Sequence, residues 1–324
     1  PTTMGGTAGF LIGATDSASD ANDKVMMEYF YEVDLNTSFT GEDKLNIEIE
    51  TGNHPGIGVG ADKVGLDWGS DNGDTLKVSD VNYTFPLGGW TVAVGDSMDA
   101  SKTWPNACAV NNMVDNLGDC GAANSVDLSG DVSLSASTEF GDGWELGLGI
   151  SADSGETSRG IFTNEGDDYY GIAIGYERDT FGFTAAYSMK ESTTIANSTT
   201  GWVQSDNASQ KDTTYYGLVG YYSPESTPLT LSGGIELSDI EGTNTDKTQW
   251  TVGVSTDLGE GTLSATFGTN GAIADNAEEI YAYDLSYEYP INDSMSITPF
   301  VYVAETTGST VDTTGAGAFV SFSF

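Results

Sequence analysis

One histidine, two cysteines and 49 acidic residues are the groups in this 324-residue chain that could do chemistry. His54 stands beside Pro55. Nucleophilic catalysis needs an imidazole, a nucleophile and an orienting acid in a defined structural setting, and no such order surrounds His54. It reads as a turn residue, and a hydrolase would have to rest on it alone. Asp16, Asp20 and Asp23 crowd one polar stretch. Hard cations want clustered oxygens, so these three form a candidate calcium site. They lack the EF-hand order, and a solvated charge run explains them as well. There is no thiolate–imidazole spacing for zinc and no glycine-rich phosphate loop opening a helix. The chain is expected not to be an enzyme, with no cofactor beyond that calcium.

Cys108 and Cys120 share one polar, Asn- and Gly-rich stretch. Such a pair suggests a disulfide and an oxidising compartment; the alternative is two free thiols. Closing so short a loop contributes roughly 3 kcal/mol in the chain-entropy model.

The acids dominate everything else. Against 10 basic residues they leave a formal charge of −39, which disfavours nucleic acid and anionic surfaces as partners. Yet the chain holds 16 tyrosines and 13 phenylalanines, too many for a disordered acidic polymer. No apolar run approaches the ~18 residues of a membrane helix.

The elements that position these acids are two-faced strands. Leu45, Ile47 and Ile49 alternate with Asn46, Glu48 and Glu50. Trp144, Leu146, Leu148 and Ile150 alternate with Glu145, Gly147, Gly149 and Ser151. Tyr281, Tyr283, Leu285, Tyr287 and Tyr289 alternate with Ala282, Asp284, Ser286 and Glu288. Period-2 patterning of this kind marks half-buried strands. Short turns fall near 40–43, 86–89, 141–143, 178–180, 224–227, 259–261 and 291–293. Long polar stretches fall near 15–23, 52–74, 98–129, 153–166, 191–212, 240–247, 270–277 and 305–314. Seven turns and eight loops join sixteen strands, an even number once 64–68 is assigned to the loop 52–74. The pattern predicts an all-β fold: a sixteen-stranded antiparallel transmembrane β-barrel with short periplasmic turns and long external loops, spanning 1–324.

Two further features agree. Outward positions beside the short turns are Phe85, Trp90, Phe140, Trp144, Tyr176, Phe181, Tyr222, Tyr289 and Phe324, an aromatic girdle for a membrane interface. The chain ends on a strand, Ala316 to Phe324, with a terminal aromatic, and this resembles the closing strand of bacterial outer-membrane barrels.

Two segments carry a closer resemblance. Asp34-Leu35-Asn36-Thr37-Ser38-Phe39-Thr40-Gly41, then Leu45 and Gly52-Asn53, resembles cyanobacterial outer-membrane porins. So does Tyr83-Thr84-Phe85-Pro86-Leu87-Gly88-Gly89-Trp90-Thr91-Val92, then Val94-Gly95. The likeness covers about residues 30 to 105, and this family is related to the carbohydrate-selective porins. It implies a homotrimer in outer-membrane lipid that passes small ions and hydrophilic solutes. It also implies relatives with an N-terminal S-layer-homology domain, expected to be absent here. Relatives tend to place arginines just before the Gly-Asn, where this chain has Asn46, Glu48 and Glu50.

Alternation assigns an acidic lumen: Glu28, Glu32, Asp34, Glu48, Glu50, Asp80, Asp131, Glu139, Glu145, Glu177, Glu236, Asp257, Asp284 and Glu288, with Lys190 the clearest inward base. Carboxylate rings favour cations. The expected function is passive diffusion through a cation-preferring pore; a wide channel that these acids merely solvate is the bland alternative. Loop 98–129 is the expected constriction, because the resemblance implies that it folds into the lumen. Asp99, Asp115 and Asp119, with Asp96 just before it, would face the permeant, and Lys102 is the counter-charge. Loop 52–74 is a candidate latch to a neighbouring subunit. Outward Ala8, Ala14, Ala316 and Ala318 are candidates for the trimer contact, or for plain lipid exposure. Two rivals stay open. Inward Phe30, Tyr169, Tyr215, Tyr221, Phe300, Tyr302 and Phe319 would suit sugar permeation, and the long loops would suit a plugged, envelope-tethering barrel.

Overall fold

The computed structural model describes residues 1–16, 24–53, 66, 72–153, 155–163, 166–191, 195–197, 201–203, 212–241 and 246–324, with 195–197 and 201–203 as backbone only. Sixteen strands form the wall. They are β1 (Thr2–Asp16), β2 (Met26–Thr37), β3 (Lys44–Gly52), β4 (Lys77–Leu87), β5 (Trp90–Asp96), β6 (Val132–Phe140), β7 (Trp144–Asp153) and β8 (Asp167–Arg178). They continue as β9 (Phe181–Lys190), β10 (Thr213–Tyr222), β11 (Leu229–Ile240), β12 (Lys247–Leu258), β13 (Gly261–Thr269), β14 (Tyr281–Asn292), β15 (Met295–Ala304) and β16 (Thr313–Ser323). A two-residue piece, Ile273–Ala274, extends the pairing of β12.

Every strand pairs antiparallel with its sequence neighbours, and β1 closes on β16 from Thr7↔Ser323 to Asp16↔Thr314. The C-terminus is clamped there: the Phe324 amide donates to the Gly6 carbonyl at 3.1 Å, and the Gly6 amide donates back. Closure removes every sheet edge, the condition for a sheet to live in lipid. One of the two-residue turns, Leu87 to Trp90, has Gly88 and Gly89 at φ 59° and 89°. Both central residues of such a two-residue hairpin need positive φ, which glycine adopts without penalty.

Side chains sort as in no soluble protein. Phe10, Ile12, Leu134, Leu148, Leu218, Leu237, Val252, Leu285 and Val301 are exposed, all on the outward parity. Ser133, Ser135, Ser137, Thr184, Ser188, Ser232, Thr251, Ser264 and Thr266 are buried on the inward one. The aromatics beside the short turns take the outward parity and meet one another. Phe140 stacks on Trp144 at 6.3 Å, and Trp144 lies 4.8 Å from Tyr176, which reaches Phe181 at 5.8 Å.

Candidate functional site

The connection between β5 and β6 lies inside the barrel. Its outgoing arm is seated by glycines that leave room on the wall: the Trp104 indole lies over Gly147, Gly149 and Gly171, where an added Cβ would come within 3 Å of it or of Ala100. The arm then exchanges hydrogen bonds with successive strands. Ala107 N donates to Thr184 Oγ1 (3.1 Å) and Ala109 N to Ser232 Oγ (2.9 Å), while Thr266 Oγ1 donates to the Asn111 carbonyl (3.3 Å). At the far end Met113 N and Val114 N both donate to Asp284 Oδ2, at 2.7 and 3.0 Å.

The loop turns through a short 3₁₀ segment, Asp115–Gly121, and returns nearer the long-loop end. Here Glu236 is the anchor. It accepts Asn124 N (3.0 Å), Asn124 Nδ2 (3.0 Å), Ser125 N (2.8 Å) and Ser125 Oγ (2.7 Å). Lys190 Nζ donates to Asn124 Oδ1 and Ser129 Oγ while lying over the rings of Tyr169 and Tyr215. Cys108 and Cys120 are disulfide-bonded, with Cα atoms 5.6 Å apart, and tie the outgoing arm to the returning one.

The loop tip ends in an apolar seal. Met113, Val114 and Leu117 pack with Leu11, Ala282, Phe300, Tyr302 and Ala304. Leu66 belongs to the same cluster and bridges to Val114, so this described residue of the stretch 52–74 contacts the chain's own loop. His54 lies outside the described residues.

The wall of β2 to β4 faces this loop. Its register sets Glu32 opposite Glu50, Asp34 opposite Glu48, and Glu48 opposite Asp80. Like charges directly opposite one another are unfavourable in a sheet, so this wall has a standing demand for counter-charge. Part is met within the chain: Lys77 Nζ lies 2.8 Å from Glu50 Oε1, and Lys102 Nζ lies 3.3 Å from Asp80 Oδ2. Amides and hydroxyls serve Asp34, Glu48 and Asp80. Asn46 Nδ2 donates to Asp34 Oδ1 (2.6 Å), Asn82 Nδ2 to both Asp80 oxygens, and Ser79 Oγ to Glu48 Oε1 (2.7 Å).

The loop carries carboxylates of its own, and Asp99 among them feels the charge of Asp80 on that wall. Burial and the charge of Asp127 push Asp99 up to about 6. Burial, then Asp127, pushes Asp119 to about 6 as well, against a hydrogen bond from Asn106. Asp115 is raised by burial. Asp127, which accepts from Ser101 Oγ at 2.9 Å, was absent from the sequence-based set. Only its recurrence as the charge acting on both neighbours marks it, and alternation says nothing about loops.

The other acids divide by depth. Glu139 faces Glu145 at the short-turn end, and both line a recess of about 480 Å³ with Glu177 and Tyr221. Glu288 (opposite Thr262) and Asp257 lie at that end too. Glu28 is opposite Leu11, nearer the long loops. Asp131 sits at the start of β6, its amide donating to Ser151 Oγ at 2.9 Å.

Three expectations need correction. Asp284 and Glu236 face inward but do not line open space; they are buried beneath the loop, because unpaired amides there need acceptors. Asp96 does not face the permeant. It pairs with Val81 on the outward parity, since Gly95 takes the inward position, and it ends β5 exposed against the carboxyl of Asp131. Of the inward aromatics, Phe30, Phe300 and Tyr302 are buried, Tyr169 and Tyr215 hold Lys190, Tyr221 donates to Glu177 Oε1 at 2.8 Å, and the half-buried Phe319 stacks on Phe30 at 5.8 Å. They form no open row of rings.

Of the calcium candidates, Asp16 ends β1 exposed, and Asp20 and Asp23 lie outside the described residues. Among the described residues no three metal-ligating side chains gather.

Residues 176–324 match the family model described as Gram-negative porin. A mutant of the Rhodopseudomonas blastica porin superimposes with a TM-score of 0.60 at 14% identity, covering 100% of both chains. A loop-deletion mutant of OmpT, an outer membrane protein of Vibrio cholerae, gives 0.66 at 13% identity, covering 100% of this chain and 99% of that one. At such identities the structures establish the shared sixteen-stranded barrel. No curated protein sequence matches the chain.

Proposed function

We propose that this chain is a Gram-negative outer-membrane porin, a reading supported by the family match over residues 176–324, and that its passive diffusion channel passes cations in preference to anions. The observation that carries this reading is that the inward face of β2 to β4 is acidic, with Glu32, Asp34, Glu48, Glu50 and Asp80, and that the loop inside the barrel carries Asp99, Asp119 and Asp127. A confined path lined by one sign of charge concentrates the opposite ion and excludes its own. Loop 98–129 is the constriction in this account, braced by Asp284, Glu236 and the disulfide.

The assembly follows the same reasoning. A homotrimer in outer-membrane lipid is supported by the small outward residues at the seam, where Ala14 faces Ala316 and Ile12 faces Ala318. Likeness to the cyanobacterial porins rests on the sequence of β2 with its turn and of the β4–β5 hairpin. Sugar permeation is the weaker reading, because the rings it would use are covered or engaged.

The test is Glu48→Gln with Glu50→Gln, measured as reversal potential in planar bilayers. The double variant should move the reversal toward zero from the K⁺ side. An unchanged reversal would remove the wall from the mechanism, and channels that never open in the unaltered protein would make the barrel a plugged, structural one.

A further inference from the structure

Lys102 reaches from the loop to the acidic wall, and its surroundings fix it there. It lies in a turn in which its amide donates to the Asp99 carbonyl (3.1 Å) and Trp104 N donates to the Ser101 carbonyl (2.8 Å). Thr103 N and Oγ1 contact Ser135 Oγ at 3.1 and 2.9 Å, and Ser101 Oγ holds Asp127. Trp104, wedged over the wall glycines, locks the end of the same turn. The ammonium therefore projects from a backbone that cannot easily retreat. It lies 3.3 Å from Asp80, its side chain 35% exposed, and its charge acts on Glu32 of the wall and on Asp99 of the loop. It touches both faces of the gap electrostatically.

The pair joins a partly exposed ammonium to a buried carboxylate, so solvent screens it at the lysine end only. A fixed ammonium between two carboxylate faces has a consequence for ions. It is a tethered counter-ion standing where a mobile cation would otherwise dwell. Conduction requires binding weak enough to release, and carboxylates clustered without an internal base offer a divalent cation the several oxygens it prefers. Resting on the cation-path reading above, we infer that Lys102 is a specificity-determining residue that moderates the path's preference for cations and keeps divalent cations from lodging in it.

The experiment compares the unaltered protein with Lys102→Met, Lys102→Gln and Lys102→Arg in planar bilayers under a KCl gradient, then adds CaCl₂. Met and Gln should raise the K⁺-over-Cl⁻ permeability ratio by about threefold or more, and Ca²⁺ should reduce their K⁺ current at lower concentrations than in the unaltered protein. Arg should behave as Lys. Equal reversal potentials and equal Ca²⁺ sensitivity across the set would overturn the inference. A shift with Arg as large as with Met would overturn it too, because side-chain shape would then be acting. Channels from Arg but from neither Met nor Gln would make Lys102 a folding residue and end the idea. Cation preference itself is read from the unaltered protein, and the lysine from the differences, so the two readings can fail separately.

Discussion

The Asp99 and Asp119 carboxyls are raised into the mildly acidic range. Both are pushed up to about 6, by burial first and by Asp127 second. A raised carboxyl pKa means that the charge is present above the shifted value and lost as pH falls through it. Between pH 7 and 5 the loop face should lose negative charge, and the reversal potential should move toward zero with a midpoint near 6. The same shift makes the folded loop more stable as pH falls, because the proton relieves a charge that burial disfavours. Lost selectivity would then not be unfolding. Asp43, in the turn after β2, behaves oppositely. Tyr83 OH, the Phe39 and Thr40 amides and the Ser38 and Thr40 hydroxyls all donate to it, and these bonds hold its carboxyl well below the usual range. That turn stays intact throughout the titration. Replacing Asp99 and Asp119 by Asn should flatten the pH dependence in bilayer recordings; a variant that keeps the full midpoint would place the titrating groups elsewhere.

At the scale of elements, the β5–β6 loop is held by three kinds of anchor: glycine seats under Trp104, buried carboxylates under its amides, and the disulfide between its arms. The carboxylates bear most of the position, since each leaves several buried donors without partners when removed, at roughly 1–3 kcal/mol per donor. Glu236→Ala combined with Asp284→Ala should release the loop and raise single-channel conductance by about twofold. Cys108→Ser with Cys120→Ser should leave mean conductance near its original value and add open-channel noise, because the arms stay seated but lose their tie. Equal effects from the two pairs would show that the anchors have been ranked wrongly.

The strands were legible from alternation, and so were the short turns between them, because the outward side of each strand is apolar and the inward side polar. Glu48 opposite Asp34 could be read from the same periodicity. The loop's path could not. Nothing in the spacing of Glu236 or Asp284 distinguishes a residue that lines water from one that receives a loop's amides, since both are inward acids on a strand. Asp127 escaped for a related reason: its neighbours are brought together by the return of the loop, which has no period. Phe300 and Tyr302 looked available to solutes until the loop tip covered them.

For the whole molecule, a net charge of −39 goes with a closed barrel that carries facing acids on β2 and β3 and further acids on the loop inside it. Arg159 and Arg178 are the chain's arginines. Arg159 lies in the β7–β8 loop, and Arg178 pairs with Asp142 beside a short turn. Screening then sets the size of the effect, because the Debye length shrinks from about 30 Å at 0.01 M to about 4 Å near 0.5 M salt. The most direct test is the reversal potential of the unaltered channel under a roughly tenfold KCl gradient, taken once in dilute and once in concentrated salt. The account predicts a reversal close to the K⁺ equilibrium potential in dilute salt and a smaller one in concentrated salt. A reversal at zero or on the Cl⁻ side in dilute salt would contradict it.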